Sequence, residues 1–127
     1  MRNVIASVLI IIIFLVGCSD DKGAVQNEYK KITPAEAIEL MNEDTLILDV
    51  RTIEEYGSGY IPHAHLLPLT KIQAGELELL TDKDQIILVY CRSGNRSETA
   101  VRALNDAGYT QVYDFGGIID WPYEIDQ

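Results

Sequence analysis

Residues 91–96 read Cys-Arg-Ser-Gly-Asn-Arg: one thiol, two arginines within the next five positions, and a glycine between them. A thiolate is a far better nucleophile than a thiol. Nearby cations and a helix N-terminus can lower a thiol pKa from about 8.5 to between roughly 3.5 and 7.5. A short loop with glycine at its middle can curl its backbone N–H groups inward into an anion-holding nest, and a helix beginning about Ser97 would point its positive end at the same spot. A thiolate held in this way attacks an electrophilic atom and then carries the group it has taken, a form of covalent catalysis that needs neither metal nor organic cofactor. Arg92 and Arg96 would also draw in an anionic donor, with Ser93, Gly94 and Asn95 completing the loop that binds it. Buried, inert cysteines are common, but two arginines and a central glycine serve no purpose around one.

Other chemistry-bearing residues have plainer readings. Asp49 is expected to hydrogen-bond backbone near the thiol loop. Arg51 and Glu55 stand four apart and would pair across one helical turn. All three are expected to support the site without touching a donor. His63 and His65 lack the further Cys or His ligands of a zinc set, so no metal is expected. Trp121 is expected to pack beneath the pair Gly116–Gly117. No phosphate-binding glycine motif and no hydrolase triad appears.

Such a loop needs rigid elements around it, and the hydrophobic pattern supplies them. Residues 45–50 and 85–90 are almost continuously apolar, and 111–115 form a shorter run. Continuous apolarity marks strands buried on both faces, as in a parallel sheet covered by helices. Thr33, Pro34 and Glu36 make a helix start with a capping box, predicting a helix to about residue 41. Residues 97–107 predict a second helix with Ala100, Val101, Leu104 and Ala107 inward and Gly108 as its stop. A weaker helix is expected within 70–80. Alternating strands and helices predict an α/β three-layer domain, a central mainly parallel sheet flanked by helices. Sites in such sheets form beyond the carboxyl ends of the strands. There the sequence places Asp49-Val50-Arg51, the thiol loop and Gly116–Gly117.

The chain opens with Arg2 and no acid, followed by residues 4–16, apolar except for Ser7. This is the pattern of a secretory signal, and the run falls short of the roughly 20 apolar residues of a membrane span. Its end, Leu-Val-Gly-Cys at 15–18, resembles the lipobox of bacterial lipoproteins. The resemblance implies cleavage after Gly17 and acylation of Cys18, whose several acyl chains would hold the protein to the bilayer. Residues 1–17 then form the signal peptide, 18–28 the lipidated cysteine and a polar tether, and 29–127 the domain. The expected location is the outer side of a bacterial membrane or envelope. Losing Arg2 with the signal takes the formal net charge from −10 to −11. An acidic chain without a basic cluster excludes nucleic acid as a partner class. Of the two cysteines, acylation claims one and leaves Cys91 a free thiol in a monomer.

From residue 32 to 121 the sequence resembles the rhodanese family in four ordered segments. Residues 91–97, Cys-Arg-Ser-Gly-Asn-Arg-Ser, are similar to its active-site loop. Asp49-Val50-Arg51 with Glu55-Tyr56 resembles its D-V-R-x-x-x-E-[FY] segment, residues 59–64 its G-H-I-P-G-A, and residues 116–121 its G-G-x-x-x-W. The resemblance implies a sulfurtransferase in which Cys91 takes sulfur from thiosulfate or a persulfide and yields it to a thiol or to cyanide. A binding module or sulfur carrier is the non-enzymatic alternative. Related cysteine phosphatases and arsenate reductases hold one residue more between cysteine and arginine, making room for a tetrahedral anion. Two positions depart from the family: Tyr60 stands where His is frequent and His63 where Gly is frequent. Losing that glycine is expected to alter the turn after Pro62.

Overall fold

The computed structural model describes residues 28–127. The signal segment, Cys18 and most of the tether lie outside the described residues. Four strands, β1 (Leu46–Asp49), β2 (His65–Leu66), β3 (Ile86–Cys91) and β4 (Gln111–Gly117), pair in the order β2-β1-β3-β4, and every pairing is parallel. The helices are α1 (Pro34–Leu40), α2 (Ile53–Gly57), α3 (Leu69–Gln73) and α4 (Asn95–Asp106), and a short 3₁₀ turn covers Ile118–Asp120.

Strand alternation divides the core. Leu46 and Leu48 of β1, with Ile87, Val89 and Cys91 of β3, join Ile72 of α3 and Ala100, Val101 and Leu104 of α4 on one face. Ile47, Leu88 and Tyr90 point the other way, toward Ala37 of α1, Ile61, Phe115 and Trp121. Burying both faces is what makes β1 and β3 read as unbroken apolar runs. The three-layer α/β domain expected from the sequence is thus the one observed.

Several elements differ from expectation for local reasons. The edge strand β2 went unread because two residues, one exposed and one half-buried, carry no pattern. The weak helix expected within 70–80 is only the five residues of α3, ended by Ala74 and by Gly75 at φ +76°. Helix α4 starts at Asn95, two residues early, because Gly94 caps it in the left-handed conformation at φ +106°.

The two family departures have definite outcomes. Tyr60 lays its ring on Tyr56, with centroids 4.2 Å apart, while its backbone bridges to Asp126. The turn after Pro62 has a left-handed backbone, and His63 occupies it at φ +67°. Among non-glycine residues His is one of those that enter this region more often, yet its Cβ still crowds the carbonyl there. Replacing His63 with Gly is therefore expected to raise stability by about 1 kcal/mol. Urea unfolding would show a higher midpoint at unchanged slope, and an unchanged midpoint would mean that the turn holds no strain.

Candidate active site

Strand β3 runs straight into the thiol. Cys91 is its last residue, faces α4, and is only 1% exposed. Four residues later the chain is already in α4. To turn this sharply the loop uses Gly94, whose left-handed backbone aims its N–H at Cys91 Sγ over 3.0 Å. Beneath the sulfur lies Ser97, fully buried. Its Oγ is 3.5 Å from Sγ, 2.9 Å from the Gly94 carbonyl and 3.5 Å from that of Gly116. Ser97 closed the sequence motif but was not expected to touch the sulfur; its place one helical turn beyond Gly94 was the available signal.

The end of β4 walls the loop from the other side. Cys91 pairs with Gly117 across an irregular register, and Ile119 N–H donates to Arg92 O at 3.2 Å. A Cβ on Gly117 would lie 2.2 Å from Arg92 O and 2.6 Å from Ser93 Cα. Only glycine permits this backbone-to-backbone contact. Trp121 packs on Phe115 and Tyr123 in the layer away from Cys91, its indole N–H donating to Glu124 O.

The two loop arginines have unlike surroundings. Arg96 makes a two-pronged pair with Glu55 of α2, at 2.6 and 2.8 Å, which straps the loop to α2. Arg92 is exposed, and no carboxylate pairs with it among the described residues. Ser93 and Asn95 are exposed at the mouth, and Gly94 is half-buried.

The expected pairing of Arg51 with Glu55 does not occur. Thr52 caps α2 and forms a capping box with Glu55, so Arg51 lies before the helix and shares no turn with Glu55. The pattern Thr-x-x-Glu at 52–55 was the overlooked signal. Arg51 turns back to Asp49, its Nη2 2.6 Å from Oδ2, and donates to Gly59 O at 2.7 Å. Nor does Asp49 reach the thiol loop: alternation along β1 puts it on the face away from Cys91. There its carboxylate accepts from the Tyr90 hydroxyl at 2.7 Å, and that oxygen accepts from Ile61 N–H at 3.1 Å. Burial and the Asp49 carboxylate push the Tyr90 hydroxyl pKa up, so it stays a donor. This buried network fixes the residue next to Cys91 and the loop before β2.

No group of three or more His, Cys, Asp or Glu side chains suited to a metal occurs among the described residues. A cavity of about 660 Å³ between α1, Ile61 and Trp121 is lined by no residue of the thiol loop.

The described residues thus form a parallel α/β domain with a buried free cysteine at the end of a central strand, its sulfur facing a backbone N–H and a helix start. The chain belongs to the rhodanese-like domain family, whose pattern matches residues 33–122. A sulfurtransferase of Allochromatium vinosum is 42% identical over 80 residues, 62% of this chain and 73% of that protein. The thiosulfate sulfurtransferase GlpE of Coxiella burnetii is 36% identical over 95 residues, 73% of this chain and 87% of its own. A rhodanese-like domain protein from Staphylococcus aureus has the same fold, with a TM-score of 0.65 and 34% identity over 76% of this chain and 96% of that one.

The Glu55–Arg96 pair carries a pH signature. Its hydrogen bonds from Arg96 outweigh partial burial and hold the Glu55 carboxyl down at about 2, from an ordinary 4.5. A lowered carboxyl pKa stabilises the fold fully above pH 4.5 and loses that contribution as the pH falls toward 2. Because the pair is partly solvated, the contribution is on the order of 1 kcal/mol or less. Glu55→Gln is expected to be less stable than the parent above pH 5 by about that amount, the two converging toward pH 2; parallel curves in acid titrations of unfolding would refute the pairing.

Proposed function

We propose that the protein is a sulfurtransferase whose carrier is a persulfide on Cys91. The observation that carries this reading is the Gly94 N–H directed at a buried Cys91 Sγ, at 3.0 Å. A backbone donor aimed at sulfur stabilises a thiolate, and afterwards a persulfide anion, with no reorganisation during the reaction. The sulfurtransferases among the relatives support the same reading.

In the first half-reaction the Cys91 thiolate attacks the outer sulfur of thiosulfate. A bond forms between Sγ and that sulfur, the bond to the sulfonate breaks, and its electron pair leaves with sulfite. In the second, a thiolate or cyanide attacks the outer sulfur of the persulfide, and the pair of the broken S–S bond returns to Sγ. Neither step needs a metal or an outside oxidant. Arg92 attracts the anionic donor, while Arg96 holds the loop in shape through Glu55. Ser93, Gly94 and Asn95 line the entrance. With four residues between Cys91 and Arg96, the loop suits one sulfur better than a phosphate.

Intact mass of the protein after thiosulfate is expected to show one added sulfur, removed by cyanide with formation of thiocyanate. Cys91→Ser is expected to take up none. No uptake by the parent from thiosulfate or from an organic persulfide would end the sulfurtransferase reading, and ready hydrolysis of an aryl phosphate would replace it.

We also propose that Cys18 is acylated and anchors the domain on the outer side of a bacterial membrane, on the strength of the apolar run and the junction at 15–18. Expressed in a bacterium fed a labelled fatty acid, the full chain is expected to carry the label and fractionate with membranes. Cys18→Ser is expected to lose both properties, and a labelled Cys18→Ser chain would remove the proposal.

A further inference from the structure

Asp114 is a buried carboxylate in the middle of β4, and no cation pairs with it among the described residues. Two donors hold it: Gly116 N–H reaches Oδ1 over 2.8 Å, and the Tyr29 hydroxyl donates to Oδ2. A buried carboxylate is tolerated only when its lone pairs are occupied, so these donors fix where the carboxylate lies. Through Gly116 it fixes more. The Gly116 carbonyl faces Ser97 Oγ, and Gly117 lies against the backbone of Arg92 and Ser93.

Tyr29 belongs to a segment that runs along the open edge of β4. Lys30 O accepts from Asp114 N–H at 2.9 Å, and Ile32 N–H donates to Asp114 O at 2.8 Å. The Tyr29 ring lies under the Arg102 guanidinium of α4, 4.6 Å away. Burial and the Asp114 carboxylate push the Tyr29 hydroxyl pKa up, so it remains a donor at neutral pH.

We propose that Tyr29 is a positioning residue for the thiol loop, acting through Asp114 and the Gly116–Gly117 turn to set the wall against which Arg92, Ser93 and Ser97 rest. The proposal deepens the sulfurtransferase reading and rests on it for its kinetic consequence. Without the hydroxyl, Asp114 keeps a single side-chain-directed donor and is free to shift, carrying Gly116 and the loop wall with it.

Tyr29→Phe in the full chain keeps the ring and its place against Arg102 while removing the donor. Misplacement of a reacting group by a fraction of an ångström costs rate more than affinity, so kcat for thiosulfate is expected to fall about fivefold, with KM within about twofold. Alkylation of Cys91 by iodoacetamide at pH 7 is expected to change by a similar factor. Tyr113→Phe, which removes a hydroxyl from the same strand while keeping the ring beneath Lys30, is expected to match the parent in both. A Tyr29→Phe protein with a lower melting temperature but parental kcat, KM and alkylation rate would overturn the proposal, leaving Tyr29 a purely structural residue. Should the parent itself take up no sulfur, the transfer reading fails, while the alkylation comparison still decides whether Tyr29 positions the thiol.

Discussion

The site depends on one backbone contact. Gly117 presses against Arg92 and Ser93 so closely that no side chain fits between them. The contact forms because β3 and β4 are parallel neighbours that end at the same height, so the chain leaving one meets the chain leaving the other. From that crossing follow the tight turn at Gly94, the early start of α4 and the burial of Sγ. The sheet topology therefore shapes the site before any side chain contributes. Interiors are close-packed and transmit displacement, so residues as distant in sequence as Tyr29 and Glu55 bear on one sulfur atom.

Charge is distributed in keeping with that geometry. The buried pair Asp49–Arg51 lies on the face away from Cys91 and knits the end of β1 to Gly59. Breaking such a pair by removing one partner costs far more than the pair adds to stability, so it fixes a conformation rather than strengthening the fold. Arg96 is committed to Glu55. Within a chain of formal net charge −10, Arg92 is left at the mouth as an exposed cation with no opposing carboxylate among the described residues. The two arginines look alike in the sequence and differ in work because only one faces α2.

How much was legible follows from the range over which each feature is determined. Strands β1 and β3, helix α4 and the thiol loop carry their signals in contiguous residues: apolar runs, a helical stripe, a glycine between arginines. The capping box at Thr52–Glu55 was equally local, and overlooking it produced the wrong partner for Arg51. The Glu55–Arg96 pair spans 41 positions, and the contact from Tyr29 to Asp114 spans 85; no periodicity records either. Strand β2 is defined by its neighbour alone, since two residues become a strand only where β1 offers a free edge. His63 shows the opposite case. The departure from glycine was visible, but only the structure shows that His63 sits in a left-handed backbone.

The chain contains a single tryptophan, and its position makes it an optical reporter of a particular kind. Trp121 contacts Phe115 and Tyr123 in the layer shared with α1, while Cys91 belongs to the layer shared with α4. The four-stranded sheet separates the indole from the sulfur. Its emission therefore follows the assembly and melting of the α1 layer, and a change confined to Cys91 has to be read by mass or by a thiol reagent.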